Sequence, residues 1–288
     1  MTLCVAVTVP CKALNPMRRP LAFSEPGIVL AADTRFVWLD GSRIVDDGIK
    51  IWPLNDWAIA GFSGDVELGE AALFSMRLTL RDWRFRNHDK IAGGTRNWLR
   101  YHQRTVSRNR DPLPTEVLLC IHDAGVDEFL LYVLSSQDNF EPTRREGVVP
   151  IGSGAARFEQ AFPTKVDWYT HQWSAPVRTG LKLVQVGKNV AVEPRQPDDH
   201  EPVRLLQVAG LVVGTLDSVL QEADLATVGG LVQAFMLLKS GLVCTREVRR
   251  SKEGSWYHIT ARDLQSYSNM VSETYEIPGM REDLSIEE

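Results

Sequence analysis

The sequence contains no uninterrupted apolar run long enough to cross a bilayer, and it lacks the concentrated positive charge of a nucleic-acid-binding protein. Apolar residues make up 44% of the 288 residues and charged residues 24%, which is an ordinary balance for a globular chain. The formal net charge is -5, and the basic clusters MRRP, TRRE and EVRR are short. Because binding to phosphates requires a dense surface of Lys and Arg, we expect no nucleic acid and no membrane among its partners.

Cysteine and histidine patterns typical of metal or cofactor sites are also missing. The four cysteines, Cys4, Cys11, Cys120 and Cys244, have no C-x-x-C spacing, and the six histidines show no ligand motif such as H-E-x-x-H. Three of the cysteines lie in strand-like apolar segments, where a reduced thiol packs as a small apolar group. We therefore predict no metal, no cofactor and a cytoplasmic location. A secretory leader is not expected, because the basic residues follow the first apolar run.

The order of apolar segments predicts a single α+β domain over residues 1–288. Strand-like runs come first, and pairs of helices then alternate with further strands, which favours stacked sheets with helices outside. Two stretches interrupt this order, at about 10–26 and 163–200. The first carries four prolines, and the second ends in the polar run EPRQPDDHEP. The acidic C-terminal tail REDLSIEE is expected to fray.

The chain begins MTLCVAVTVP, with Thr2 directly before a strand-like run. Removal of Met1 is normal when the next residue is small, and it would leave Thr2 with a free α-amine. Such an amine, with a pKa of roughly 7.7–8, is partly neutral at cell pH and can accept the proton of the Thr hydroxyl. One residue would then supply both nucleophile and base. The alternative is that Thr2 merely begins a strand.

A carboxylate and an amine at strand ends could serve the same chemistry. The segment GIVLAAD ends in Asp33, and Lys50 begins KIWPL seventeen residues later. If the two strands are neighbours, the ammonium would favour a deprotonated hydroxyl near the first strand, and the carboxylate would hold the ammonium in place. A surface ion pair at two strand ends is the alternative.

The segment AGFSGD, residues 60–65, indicates a small-residue turn between a buried strand and a helix. The N–H of Gly61 could stabilise an oxyanion there, because glycine lets the main chain approach a carbonyl closely. The alternative is a plain strand-to-helix turn with Asp65 as the helix N-cap.

In combination, an N-terminal Thr strand followed by GIVLAADTR, KI, AGFSGD and GSGA resembles the proteasome β-subunit family. The matching blocks cover most of residues 2–160 and return at 204–243. Exposure of the Thr by removal of Met1 alone is most similar to the bacterial forms, the Anbu type in particular. The resemblance implies a four-layer αββα sandwich, the Ntn-hydrolase fold. The stretches at about 10–26 and 163–200 are longer than the family usually has, so they look like insertions.

The resemblance also implies roles for individual residues. Thr2 matches the nucleophile, Asp33 the strand-end aspartate, Lys50 the activating lysine and Gly61 the oxyanion-hole glycine. The family positions around the terminal amine match Ser153, Asp224 and Thr227, the last two because residues 224–230 approximate the family motif D-x-x-S-G-G with Thr in place of Ser and one extra residue.

Three further positions fall where the family lines its primary specificity pocket, namely Phe36, Trp52 and Ile59. Two bulky rings there predict either a shallow pocket for small apolar side chains or a closed one. The alternative is that a ring, Trp52 in particular, turns into the core.

Together with the resemblance, these residues predict a threonine-type hydrolase of peptide or amide bonds. The resemblance further implies a self-compartmentalising, proteasome-like assembly. The partners it implies are a peptide or protein substrate, further copies of the chain in a ring or ring-like homo-oligomer, and an unfoldase or other delivery partner. Two alternatives remain open at this stage. One is a non-catalytic ring or scaffold subunit, and the other is a small-molecule Ntn amidase.

Overall fold

The computed structural model of the chain describes residues 3–14, 23, 25–37, 44–45, 48–81, 87–173, 181–186, 189–194, 205–222, 229–230, 232–239, 241–250 and 256–261. Three predicted site residues, Thr2, Asp224 and Thr227, lie outside these ranges, as do the predicted acidic tail and parts of both predicted insertions.

The described part of the chain contains fifteen strands and four α-helices. The strands are β1 (Leu3–Val9), β2 (Gly27–Asp33), β3 (Phe36–Val37), β4 (Ile44–Val45), β5 (Ile51–Asn55), β6 (Ala58–Ser63), β7 (Glu116–Asp123), β8 (Glu128–Ser135), β9 (Thr143–Arg145), β10 (Val148–Gly152), β11 (Leu181–Val186), β12 (Asn189–Pro194), β13 (Val232–Leu238), β14 (Gly241–Arg250) and β15 (Trp256–Ala261). The helices are α1 (Val66–Arg81), α2 (His88–Val106), α3 (Ala155–Trp173) and α4 (Leu205–Glu222).

Most of the strands form two antiparallel sheets. The first sheet has six strands in the order β10-β1-β2-β13-β14-β15, and the second has five in the order β5-β6-β7-β8-β9. Strands β3 and β4 form a separate pair, as do β11 and β12. In the first sheet, β1 lies between β10 and β2, with Leu3 opposite Gly152 and Cys4 opposite Ala32. The start of β1 therefore meets the end of β10 and the end of β2.

Alternation along β1 shows how the layers pack. Leu3 and Val5 belong to the core shared with α3 and α4, whereas Cys4 and Ala6 belong to the core shared with the second sheet. Helices α1 and α2 cover the other face of the second sheet. The architecture is thus the predicted α+β fold, a four-layer αββα sandwich whose N-terminal strand is buried on both faces.

Capping and core packing determine the extent of two helices. Helix α2 begins at His88, because the side chain of Asn87 caps it by accepting a hydrogen bond from the N–H of Lys90. Helix α3 continues to Trp173 although Pro163 lies inside it. Burial of Phe158, Phe162 and Val166 offsets the helical hydrogen bond that Pro163 cannot donate. Among the helices the structure describes, none combines the length and hydropathy needed to span a membrane.

Candidate active site

Asp33 ends strand β2, and its side chain is completely buried. Its Oδ1 accepts hydrogen bonds from Lys50 Nζ at 2.9 Å and from the N–H of Leu3 at 2.8 Å. Its Oδ2 accepts from the N–H of Gly229 at 3.0 Å and from the N–H of Arg35 at 3.3 Å. A carboxylate has about four acceptor positions, so these donors use its full capacity. The group is fixed in an orientation that links three distant segments.

Lys50 lies directly before β5, and its side chain is 0% exposed. Burial lowers the pKa of Lys50, and the charge of Asp33 together with its hydrogen bond opposes part of that shift. The ring centroid of Phe36 lies 5.3 Å from Nζ, within the range of a cation–π contact. The predicted neighbours therefore form a buried ion pair and not the surface pair considered as the alternative.

The start of β1 is tied directly to this ion pair through the N–H of Leu3. Gly152 lies opposite Leu3, and Ser153 follows it at the end of β10. A Cβ on Gly154 would lie 2.9 Å from Leu3 Cδ2, so the GSG turn packs closely on the first residue of β1. Ser153 thus lies between Gly152, which pairs with Leu3, and Gly154, which packs against Leu3. Thr2, outside the described residues, is joined to Leu3 by one peptide bond.

The Gly-Gly turn before β13 forms another side of the site. Gly229 donates its N–H to Asp33 and accepts a hydrogen bond from the N–H of Arg35 at 3.1 Å. A Cβ on Gly229 would lie 2.4 Å from Cζ of Arg35, so a larger residue would require the Arg35 side chain to move. Asp224 and Thr227, which precede this turn in the sequence, lie outside the described residues.

Gly61 is buried inside β6, between β5 and β7. The N–H of Phe62 donates to the carbonyl of Lys50 at 3.2 Å. Because successive N–H groups of a strand point to opposite neighbours, the N–H of Gly61 points toward β7. A Cβ on Gly61 would lie 2.6 Å from Cys4 Sγ, which is a packing reason for glycine at this position. The oxyanion role of Gly61 stays a prediction from the resemblance.

Cys4 is a neighbour of the site that sequence reasoning did not single out. It is completely buried, and burial, followed by the negative charge of Asp33, raises the pKa of its thiol. The thiol is therefore uncharged at neutral pH and serves as a small packing group, as expected for the cysteines in strand-like segments. The available signal was its place in β1, where even-numbered positions face the second sheet.

The three predicted pocket residues are all buried, but they do not converge on one pocket. Phe36 contacts the ammonium of the ion pair. Trp52 packs edge-on against Phe74 of α1, with ring centroids 6.4 Å apart, and among the described residues its Nε1 has no hydrogen-bond partner. Since Trp52 pairs with Ala60, Ile59 points to the opposite face of the second sheet. The ring of Trp52 thus turns into the core, which was the alternative considered for it.

The two stacked antiparallel sheets between two pairs of helices define a proteasome-like Ntn sandwich fold. The structure is similar to that of a Gly-1 mutant of Anbu from Hyphomicrobium sp. strain MC1, with a TM-score of 0.52 and 16% sequence identity, over 100% of this chain and 99% of that chain. Neither a protein-family model nor a curated protein matches the sequence. At this level of identity the similarity establishes the fold, and the predicted fold class is confirmed.

Proposed function

We propose that this protein is an N-terminal threonine hydrolase that cleaves peptide or amide bonds, with Thr2 as the nucleophile. The observation that carries the proposal is the double role of Asp33 Oδ1, which binds the Lys50 ammonium and the N–H of Leu3. That nitrogen forms the peptide bond to Thr2, whose Cα lies only about 2.4 Å from it by covalent geometry. This connection through the Leu3 nitrogen supports a position for Thr2 near the buried ammonium.

The proposed reaction begins with attack of the Thr2 hydroxyl oxygen on the substrate carbonyl carbon. The hydroxyl proton passes, through a water molecule, to the α-amine of the same residue. Lys50 lowers the pKa of the hydroxyl, and Asp33 holds the ammonium in position. The departing amine takes up the proton, and an acyl ester remains on Thr2. Water then attacks the ester, with the α-amine again as base, and releases the acid product.

The other assigned positions support the α-amine and the substrate in this proposal. Ser153 accepts or donates a hydrogen bond at the α-amine, with Asp224 and Thr227 as further support. The resemblance assigns the oxyanion to the N–H of Gly61, but in the structure this N–H points toward β7. The proposal therefore does not depend on Gly61 as the oxyanion donor. Phe36, which contacts the ammonium, limits the adjoining subsite to small apolar side chains.

The burial of the ion pair argues against a purely scaffolding role. Replacing a buried ion pair by apolar groups of similar volume is often neutral or stabilising, so packing alone does not require Asp33 and Lys50. A scaffold subunit would have no need for a completely buried ammonium beside its first strand. A catalytic role explains why a buried ammonium lies beside the first strand.

The assembly and its surroundings are part of the same proposal. We assign the chain to a ring or ring-like homo-oligomer in the cytoplasm, in which the active sites face an enclosed space. Substrate would then reach the sites through an unfoldase or another delivery partner.

Intact mass spectrometry combined with a β-lactone probe tests the proposal. We expect the purified protein to lack Met1 and to gain one adduct, located on Thr2. Lys50→Ala should slow labelling by about 100-fold or more, because a preorganised charge at the nucleophile is lost. Lys90→Ala, which removes an exposed amine from α2, is the matched control and should be labelled like the wild type. Retained Met1, or a wild-type protein without an adduct on Thr2, would contradict the proposal.

A further inference from the structure

Glu116, the first residue of β7, connects the second sheet to the first at the candidate active site. Its Oε2 accepts a hydrogen bond from the N–H of Gly152 at 3.3 Å. Gly152 lies opposite Leu3 in β1 and has a φ of 93°, a value that favours glycine. Ser153 is the next residue. The carboxylate therefore restrains the position of the backbone immediately before Ser153.

The backbone that carries Glu116 is itself held on several sides by the preceding residue. Thr115 is completely buried, and its Oγ1 accepts from the N–H of Asp65 at 3.1 Å and donates to the carbonyl of Leu113 at 3.0 Å. The N–H of Thr115 donates to Ser136 Oγ at 2.9 Å, and its carbonyl accepts from the N–H of Ser136 at 2.8 Å. The Glu116 side chain thus projects from a fixed point.

Two carboxylates bind backbone N–H groups at the start of β1 and at its partner strand. Asp33 of β2 accepts from Leu3 directly, and Glu116 of β7, in the second sheet, accepts from Gly152, which lies opposite Leu3. Asp33 has an obvious partner in Lys50, whereas the hydrogen bond that Glu116 makes is to a backbone N–H. This difference indicates a geometric role for Glu116, in which acceptance of a hydrogen bond matters more than charge.

We propose that Glu116 is a positioning residue of this site, which holds Gly152 so that the Ser153 hydroxyl stays within hydrogen-bond reach of the α-amine of Thr2. The proposal rests on the proposed function and deepens it, because neither the sequence motifs nor the resemblance gave Glu116 a role. In this proposal Glu116 acts through the turn that follows β10. Loss of its acceptor slows the chemical step and leaves binding of small probes unchanged.

The test compares Glu116→Met with Glu116→Gln, two side chains of similar shape of which only Gln keeps an acceptor. The readouts are the saturating rate constant and the half-saturation concentration for β-lactone labelling of Thr2. We expect E116M to lower the rate constant by about tenfold, the equivalent of one lost hydrogen bond, with the half-saturation concentration unchanged. E116Q should be labelled at nearly the wild-type rate.

Glu128→Met is the matched control, since it removes a carboxylate from the other end of the same sheet, where Glu128 lies opposite Asp123. Labelling of E128M should equal that of the wild type, and thermal unfolding of all variants reports on folding.

If the wild type is labelled and E116M is labelled equally fast, the positioning role is wrong and the proposed function stands. The same conclusion follows if E116Q is labelled as slowly as E116M. An unlabelled wild type overturns the proposed function and this role with it. If E116M does not fold, Glu116→Ala takes its place with the same expectations. If neither folds while E116Q does, Glu116 serves folding and the proposal is wrong.

Discussion

At the scale of single residues, the buried pair of Asp33 and Lys50 raises the question of what compensates for its removal from water. Desolvation of two charges costs several kcal/mol per ion, and Coulomb attraction alone often fails to repay it. Here the carboxylate also accepts three backbone N–H groups, from Leu3, Arg35 and Gly229. The ammonium has one carboxylate contact and the face of Phe36. Asp33 thus has more hydrogen-bond partners than Lys50. The charged state of Lys50 depends mainly on the carboxylate of Asp33.

Removal of either partner should therefore be costly. We expect Lys50→Met to reduce the free energy of unfolding by about 3 kcal/mol, because it leaves a buried carboxylate without its countercharge. Asp33→Asn should cost at least as much, since the ammonium loses its main partner. The double variant should lose less than the sum of the two single losses, as the urea unfolding of all four proteins would show.

Lys90→Met serves as the control for this cycle, because Lys90 is exposed on α2 and its loss should change stability by no more than about 0.5 kcal/mol. Additive losses in the double-mutant cycle would show that the two charges do not interact in the folded protein.

At the scale of elements, Asp65 joins helix α1 to the chain that leads into β7. Its Oδ1 accepts from the N–H of Leu68, which makes it the predicted N-cap of α1. Arg110 binds both carboxylate oxygens, at 2.5 and 2.8 Å, and the N–H of Leu113 adds a further hydrogen bond at 3.1 Å. Burial alone would raise the pKa of Asp65, but these hydrogen bonds outweigh it and lower the pKa.

This shift gives a pH-dependent prediction. Because the pKa of Asp65 is lower in the folded protein than in the unfolded chain, its contribution to stability is fully present above the ordinary Asp pKa of about 3.9. It is lost as the pH falls through the folded-state value. Asp65→Asn should therefore cost about 2 kcal/mol at neutral pH, and the difference from the wild type should shrink in acid.

Denaturant unfolding at a series of pH values measures this difference. Asp111→Asn, at an exposed position in the same connection, should track the wild type within about 0.5 kcal/mol at every pH. A gap between D65N and the wild type that stays constant down to low pH would refute the assignment to the ionised carboxylate.

Helices and strands could be predicted where the local sequence pattern of apolar, capping and turn residues determines them. The hairpin of β7 and β8 follows from two apolar β-rich runs around a short turn, and Asp65 as N-cap follows from its position before an amphipathic segment. The continuation of α3 past Pro163 was not predictable, because it depends on burial of Val166 in the core shared with α4. Local signals favour a helix end there, and tertiary packing overrides them.

At the scale of the whole molecule, the sandwich brings the ends of β2 and β10 and the starts of β1, β7 and β13 to one place. The candidate site lies at this common end of the two stacked sheets. Large apolar side chains remain exposed elsewhere on the chain, including Tyr101 at 59% and Trp168 at 56%. Single exposed side chains of this kind are normal on a globular surface, so the expected oligomer rests on the proposed ring assembly alone.

From the proposed ring assembly we expect the 32.3 kDa chain to sediment as a closed homo-oligomer. Sedimentation equilibrium over a dilution series should give a mass that is a constant multiple of the chain mass. A species that remains monomeric at every concentration would contradict the proposed ring.

The sequence by itself determined the order of strands and helices, because alternation and helical periodicity are local properties of the chain. Its motifs also pointed to Asp33 and Lys50 as partners and to residue 2 as the position they serve. Only the tertiary structure decided that Asp33 bonds Gly229, which is 196 residues away, and that Glu116 reaches Gly152. It also decided that Trp52 faces α1 and that Gly61 leaves room for Cys4. These contacts depend on how two sheets stack and in which register, and no local pattern encodes the distance between residues that meet across layers.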